Sequence, residues 1–317
     1  MANIVLGVGT SHSTQLSLTP DWWPAQGEID QGRTAYDDLV RDAPAWMPEQ
    51  LTPDVWRAKY DAIQSGIETL SATIADAAPD VLIVVGDDQH ELFLNDSIPA
   101  FSVFWGKEIW DIPGPAEHLA PSHKAGRWAV HADVPEAYPV DSDLGRHLVE
   151  QLIAAEFDVS QFTEQPAGRS VGHAWTFVKR RLMGNRLIPI VPVMLNTYFP
   201  PNQPTPKRCF ALGQAIRRAV EAWPGEQRVG VVASGGLSHF VIDEDLDRRV
   251  IHGMANKDAE SLTSIPMDKL QSGSSEILNW ICSAGALEHL DMTLHAYIPS
   301  YRTLAGTGCG VTFATWA

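Results

Sequence analysis

The stretch APDVLIVVGDDQHE, residues 78–91, decides the fold, because an apolar run passes directly into a polar cluster. Val81 to Val85 has the length and composition of a strand. A helix is expected before it, starting near the N-cap Asp54 and ending at Pro79. Open α/β sheets bind ligands at the carboxyl ends of their strands, so the polar cluster at 86–91 is expected to face a site.

Apolar runs of strand length alternate with helical periodicity along the rest of the chain, as expected of a sheet flanked by helices. Further strands are predicted at Ile4 to Val8, Phe101 to Phe104, Leu187 to Met194 and Val229 to Ala233, and helices at Leu144 to Ile153, Cys209 to Val220 and Glu276 to Cys282. The stretches 14–53 and 105–141, rich in Pro and Trp, are expected to be long loops that wall the active site. With no repeat or linker visible, residues 1–317 are interpreted as one α/β domain with a central mixed sheet.

Composition narrows the class of partner. The formal net charge of −16, without a basic cluster, disfavours nucleic acid and anionic membranes and leaves small molecules. Three scattered cysteines fit neither a disulfide framework nor a CxxC zinc site. The chain start lacks the pattern of a signal peptide, and no apolar run reaches membrane-spanning length, so a cytoplasmic location is expected.

Four polar clusters follow strand-like runs: TSH at 10–12, DDQHE at 87–91, GGLSH at 235–239 and DEDLD at 243–247. If the sheet brings these ends together, two imidazoles and a carboxylate can hold a divalent metal on one face, the facial triad of non-haem Fe(II) oxygenases. Any single histidine among the eleven has an equally good interpretation as a structural residue.

The chain resembles the class III extradiol dioxygenases, the superfamily of the protocatechuate 4,5-dioxygenase catalytic subunit, and particularly its single-chain members similar to 3-O-methylgallate dioxygenase. The matching segments occur in the family's order: TSH, GDDQHELF with IPAF after it, VGHAW at 171–175, PKRCFALGQAIRRAVE at 206–221, SGGLSH at 234–239, DEDLDR at 243–248 and ILNWICSAGAL near the end.

The resemblance implies an Fe(II) enzyme that opens a catechol- or gallate-type ring with O2. It makes His12 the first iron ligand and His239 the general base, a role for which an imidazole is well matched. Many relatives form dimers or larger assemblies, so a homo-oligomer is expected.

The sequence leaves two candidates for the second iron ligand. In better-known relatives a histidine follows directly after an Asp, ten residues before the Pro of the IP(A/T)F segment, and here that position is Gln89. An imidazole binds Fe(II) better than a carboxamide, so His90 is preferred, with a one-residue shift that requires a turn. Gln89 is the alternative ligand and otherwise a residue that contacts substrate.

The sequence also leaves two candidates for the carboxylate ligand. Asp245 occupies the usual Glu position, and Glu244, one residue earlier, keeps the side-chain length and is preferred. The competing interpretation is that Asp243, Glu244 and Asp245 cap the following helix, whose dipole favours acidic residues there.

Three further residues are candidates for the substrate pocket. His173 in VGHAW matches a family histidine close to substrate and is assigned a catalytic role, with a structural role as the alternative. Tyr301 and Arg302 lie in a C-terminal segment that often contacts substrate in the family, and Arg302 could pair with a carboxylate.

Two other function classes compete. A non-catalytic companion subunit of the same fold would explain the departures at Gln89 and Asp245. A metal-dependent hydrolase would use the same donors with zinc. Serine hydrolysis fits poorly, because the chain has no GxSxG elbow, and neither a P-loop nor a dinucleotide fingerprint is present.

Overall fold

In the part of the chain that the structure describes, ten strands build one eight-stranded mixed sheet and one small two-stranded sheet. The computed structural model describes residues 2–32, 35–184 and 186–317. The strands are β1 Asn3–Thr10, β2 Val81–Asp87, β3 Phe101–Phe104, β4 Glu108–Asp111, β5 Glu136–Pro139, β6 Ser160–Phe162, β7 Ile190–Leu195, β8 Arg228–Ser234, β9 Met292–Tyr301 and β10 Gly308–Trp316. The large sheet has the order β6-β3-β7-β2-β8-β1-β10-β9, and β4 pairs with β5.

The four central strands, β7, β2, β8 and β1, run parallel. Helices cover both faces of these strands, which is why β2 is buried along its whole length and reads as a continuous apolar run. Because these strands are parallel, their carboxyl ends all lie at the same edge of the sheet. That edge carries Thr10, Asp87 and Ser234, and it positions the site.

The helices are α1 Trp23–Asp30, α2 Tyr36–Arg41, α3 Pro53–Ala77, α4 Pro121–Gly126, α5 Ser142–Ala154, α6 His173–Phe177, α7 Pro206–Ala222, α8 Glu244–Ala255, α9 Ala259–Thr263 and α10 Ile277–Leu287. One face of the sheet packs against α5, α7 and α10, and the other against α3 and α6. Helices α7 and α10 touch through glycines: a Cβ atom on Gly213 would lie 1.8 Å from the carbonyl oxygen of Cys282. No helix among the described residues is long and apolar enough to cross a membrane.

The predicted α/β fold is confirmed, with three corrections. Helix α3 is capped by Thr52, whose side chain accepts from the Val55 backbone N–H, and not by Asp54. Strands β6, β9 and β10 were not predicted, although β6 forms one edge of the sheet and β10 and β9 complete the other side. The predicted long loops contain short elements: α1 and α2 lie in 14–53, of which 33–34 fall outside the described residues, and α4, β4 and β5 lie in 105–141.

Candidate metal and active site

His12 follows β1 and is held in one tautomer by Ser234 at the end of β8. The Ser234 hydroxyl donates its only hydrogen to the carbonyl oxygen of Ala174 at 2.6 Å. Towards Nδ1 of His12, which lies 3.0 Å away, the hydroxyl can therefore act only as an acceptor, so Nδ1 carries the hydrogen. The neutral ring then carries its lone pair on Nε2, an atom that is buried and lacks a hydrogen-bond partner. This is the arrangement of a metal-ligating imidazole.

Glu276 precedes α10 and places its carboxylate between two histidines. One oxygen accepts from the Gly236 backbone N–H at 2.6 Å and lies 3.2 Å from Nε2 of His12. The other lies 3.1 Å from Nε2 of His239. Burial alone would raise the pKa of Glu276, but the imidazoles of His239 and His12 outweigh it and hold that pKa well below its usual range. Glu276 is therefore an ionised carboxylate inside the protein.

Asp87, the last residue of β2, is the second buried carboxylate. Its oxygens accept from the side-chain amides of Asn279, at 2.8 Å, and Gln89, at 3.2 Å. Gln89 also donates to Glu276 at 3.0 Å, so its NH2 group bridges the two carboxylates. Burial and repulsion from Glu276 raise the pKa of Asp87 to about 6. A positive charge placed between these groups would be strongly stabilised.

His12, Asp87 and Glu276 together suit a divalent cation. Each offers one ligand atom, and these atoms lie within 4.8 Å of one another. All three residues are almost completely buried, and His12 Nε2 has no other partner. Ligand atoms about 2.1 Å from a common ion at right angles are about 3 Å apart, which matches the contact between His12 and Glu276. The donor set contains one imidazole and two carboxylates, and so differs from the triad with two imidazoles.

His239 lies beside this cluster, and two contacts define its ring. Nδ1 donates to the carbonyl oxygen of Leu237 at 2.8 Å, so Nε2 is the atom that exchanges protons. Burial lowers the pKa of His239, but the Glu276 carboxylate overcomes this and raises it above the usual value. Gly236 is required by the close approach of the ring, since a Cβ atom there would lie 2.7 Å from Nδ1 of His239.

His173, the first residue of α6, is oriented by Glu91. A single carboxylate oxygen accepts from its backbone N–H at 3.0 Å and from its Nδ1 at 2.7 Å. Burial opposes charge on both groups, but their attraction raises the pKa of His173 to about 9 and lowers that of Glu91 to about 2. The His173 ring lies edge-on to His12 with centroids 4.6 Å apart. The second predicted catalytic histidine therefore stands directly beside the metal donors.

A cavity of about 280 Å³ opens onto these groups. Its lining combines the cluster with residues from α1 and from the segment around α4: His12, Gln89, Glu91, His173, His239 and Glu276 on one side, and Gln26, Asp30, Leu119, His123, Arg127, His131, Tyr198 and Arg302 among the others. The volume lies near the lower end of the range for small-molecule sites and suits a single aromatic ring.

The structure does not bring His90 to His12. Asp88 accepts from the backbone N–H groups of Leu92 and Phe93 and closes a turn in which His90 has a left-handed φ of 63°. That turn directs the His90 ring outward, where it stacks on Phe199 with centroids 3.7 Å apart. A turn does follow β2, as the prediction of His90 as a ligand required. In this turn, however, Gln89 and not His90 lies beside Asp87 and Glu276.

The two predicted carboxylate ligands also lie elsewhere. Glu244 and Asp245 form the first turn of α8, where Asp243 caps the helix by accepting from the Leu246 N–H. Glu244 accepts from the hydroxyl of Tyr301 at 2.7 Å, and neither residue lines the cavity. The competing interpretation, a helix cap, describes this segment. Tyr301 itself packs with Met47 and Ile242 and does not line the cavity.

Arg302 does reach the cavity wall, but its guanidinium is already paired. It forms a two-pronged ion pair with Asp30 at 2.6 and 3.0 Å, and donates to Gln15 at 2.9 Å. The side chain of Arg302 is only 5% exposed. This pair braces α1 against the end of β9.

Two central residues were missed from the sequence. Asp87 lies in the DDQHE cluster, where the preference for an imidazole ligand favoured His90. Glu276 was placed only at the start of a helix, although an acidic residue directly before the apolar run ILNWICSAGAL was a usable signal. Neither its closeness to His12 in space nor the direction of its side chain can be read from residue spacing.

Comparison with known proteins finds similarity to aromatic ring-opening dioxygenases. Residues 51–311 match the family described as the catalytic LigB subunit of aromatic ring-opening dioxygenase. Gallate dioxygenase of Pseudomonas putida is 30% identical over 178 residues, 51% of this chain and 51% of that protein. The 2,3-dihydroxyphenylpropionate/2,3-dihydroxicinnamic acid 1,2-dioxygenases of Comamonas testosteroni and Paraburkholderia xenovorans are 23% and 24% identical over 56% and 73% of this chain, and 49% and 64% of theirs. The chain spans about half the length of the first of these relatives.

Proposed function

The chain belongs to the family of the catalytic LigB subunit of aromatic ring-opening dioxygenases, and from that premise we propose that it is an Fe(II)-dependent extradiol dioxygenase acting on a catechol- or gallate-type ring with O2. One observation carries the proposal: the buried donors His12, Asp87 and Glu276 share a cavity with two histidines, His239 and His173, whose Nδ1 atoms are both engaged. The named activities of the relatives in this family support it.

His12, Glu276 and Asp87 would hold the metal, with Gln89 beside them. When bound, a divalent metal supplies the positive charge that favours the ionised form of an aromatic diol. The neighbouring histidines handle the protons. With the charge of Glu276 taken up by a bound cation, the neutral form of His239 would accept a proton from a substrate hydroxyl at Nε2, since its Nδ1 is committed to Leu237. His173, kept protonated by Glu91, donates from Nε2 to a developing negative charge.

The non-catalytic alternative is less well supported, because the donors are complete and buried and both histidines remain in the cavity. A metal-dependent hydrolase uses similar donors and is separated from the oxygenase by experiment. The cytoplasmic location and the homo-oligomer stay predictions.

Anaerobic reconstitution tests the proposal. The protein is loaded with Fe(II), Mn(II) or Zn(II) in parallel, and O2 uptake is measured with gallate, 3,4-dihydroxybenzoate, 3-O-methylgallate and catechol. We expect stoichiometric O2 consumption and a ring-opened product with Fe(II), and none with the His239→Ala variant. If the iron-loaded protein consumes no O2 with any diol, the oxygenase assignment is wrong. Hydrolysis of ester substrates by the zinc form would favour the hydrolase.

A further inference from the structure

The acidic side chains that line the cavity all have partners. Asp30 pairs with Arg302, Glu91 with His173, and Glu276 with His239. Asp111 lies behind the lining residue His131 and accepts from its Nδ1 at 2.8 Å. The cavity therefore offers no acidic group among the described residues that still awaits a cation.

Arg127 is a lining cation with a different environment. Its Nη2 donates to the carbonyl oxygen of Gly114 at 2.6 Å, a neutral acceptor. No carboxylate of the described part of the chain lies within 4.0 Å of its guanidinium. The acid behind the neighbouring His131 is Asp111, which is also engaged by the Ala132 N–H at 2.8 Å and the Ser170 hydroxyl at 3.2 Å. In a protein with a net charge of −16, a half-buried arginine in a cavity without an acidic partner is unusual.

The backbone around Arg127 is fixed by packing. Gly126 sits so close to Thr14 that a Cβ atom would lie 2.5 Å from the Thr14 methyl carbon. The Arg127 carbonyl accepts from the His131 N–H at 2.8 Å and ties the two lining residues together. The next residue, Trp128, lies under the guanidinium of Arg181 at 4.8 Å. The arginine thus emerges from a rigid wall, which lowers the entropic cost of binding a ligand.

We propose that Arg127 is the residue that binds the ring carboxylate of a gallate-type substrate. This inference rests on the proposed function and assigns the side chain that would recognise the carboxylate. A guanidinium matches a carboxylate in shape and charge. Arg302 does not compete for this role, because Asp30 already occupies its fork.

Anaerobic binding separates the contribution of the carboxylate. The Fe(II)-loaded protein is titrated calorimetrically with 3,4-dihydroxybenzoate and with 4-methylcatechol, which has a methyl group where the acid has its carboxylate. For Arg127→Met we expect the Kd of the acid to rise about 10-fold or more, and that of the neutral diol to change less than about 2-fold. Arg127→Lys should recover part of the loss. Unchanged binding of the neutral diol also shows that the variant pocket is intact.

The matched control is Lys124→Met, which removes a charge from helix α4, directly before Arg127. Lys124 donates to the backbone of Glu117 and does not line the cavity, so neither Kd should change. The inference is overturned if Arg127→Met weakens both ligands equally or neither, or if Lys124→Met reproduces the effect. These outcomes are distinct from failure of the proposed function: a wild-type protein that binds the acid through Arg127 but consumes no O2 refutes the oxygenase and retains the carboxylate site.

Discussion

Nε2 of His239 lies 3.1 Å from Oε1 of Glu276, so the proposed base contacts a carboxylate that is also a proposed metal ligand. The other oxygen of that carboxylate faces Nε2 of His12 at 3.2 Å. Metal binding and proton handling therefore meet at one buried side chain. Loss of its charge should affect both.

Glu276→Gln tests this central position. The amide keeps the shape but removes the negative charge, so we expect divalent metal affinity to fall about 100-fold or more and O2 consumption to be lost. Calorimetric titration with Mn(II) measures the affinity without turnover. Glu288→Gln, which changes a partly exposed carboxylate just after the same helix, should bind metal like the wild type. Wild-type affinity in Glu276→Gln would show that this residue is not a ligand.

Ser234→Ala tests the tautomer of His12. Without the hydroxyl, Nδ1 loses the acceptor that keeps the lone pair on Nε2, and metal affinity should fall about 10- to 100-fold. Ser102→Ala is the control, because that hydroxyl is buried and unpartnered, and its loss should leave metal affinity unchanged. A Ser234→Ala protein that binds Mn(II) as tightly as the wild type would contradict the assigned tautomer.

His90→Ala distinguishes the observed geometry from the register preferred on the sequence. The ring stacks on Phe199 rather than facing the donors, so we expect Mn(II) affinity to stay within about 3-fold of wild type. His12→Ala, measured alongside, should lose most of its binding. A large loss in His90→Ala would instead place that imidazole on the metal.

The contrast between these two histidines shows how far sequence reasoning reaches. The strand before Gly86 and the placement of polar residues at its end follow from hydrophobic pattern alone, and both are confirmed. The choice between Gln89 and His90 depends on a turn closed by Asp88, and residue types do not reveal which way such a turn directs each side chain. The preference for an imidazole ligand favoured His90, whereas the structure places Gln89 beside Asp87 and Glu276.

The carboxylate shows a second limit. Glu244 and Glu276 both stand at the start of a helix, but the family pattern pointed to the segment at 243–247, where side-chain length favoured Glu244. Only the packing of α10 under the parallel strands brings Glu276 to His12, through contacts such as that of Asn279 with the Ser234 carbonyl at 3.0 Å. Long-range packing of this kind leaves no periodic signal.

The ion pair of His173 and Glu91 makes stability depend on pH in a defined direction. Their side chains are 21% and 22% exposed, so solvent screening is limited. The pKa of His173 rises from 6.5 to about 9 on folding, so its stabilisation is complete below pH 6.5 and is lost as the pH rises through 9. The lowered pKa of Glu91, about 2, means that its contribution is complete above pH 4.5 and is lost only as the pH falls through 2.

Between pH 7 and 9, the comparison of wild type with His173→Gln isolates His173. Asp88 and Lys59, whose pKa values are about 7 and 8, also titrate in or at the edge of this window, but both residues are present in both proteins. In metal-free protein we expect the free energy of unfolding to fall by about 2 kcal/mol more across this window in the wild type than in His173→Gln. Urea denaturation at pH 7 and pH 9 gives the two values. His295→Gln, whose ring contacts Thr315 at 2.8 Å rather than a carboxylate, should keep the wild-type slope. Equal slopes in wild type and His173→Gln would mean that His173 is neutral in the folded protein.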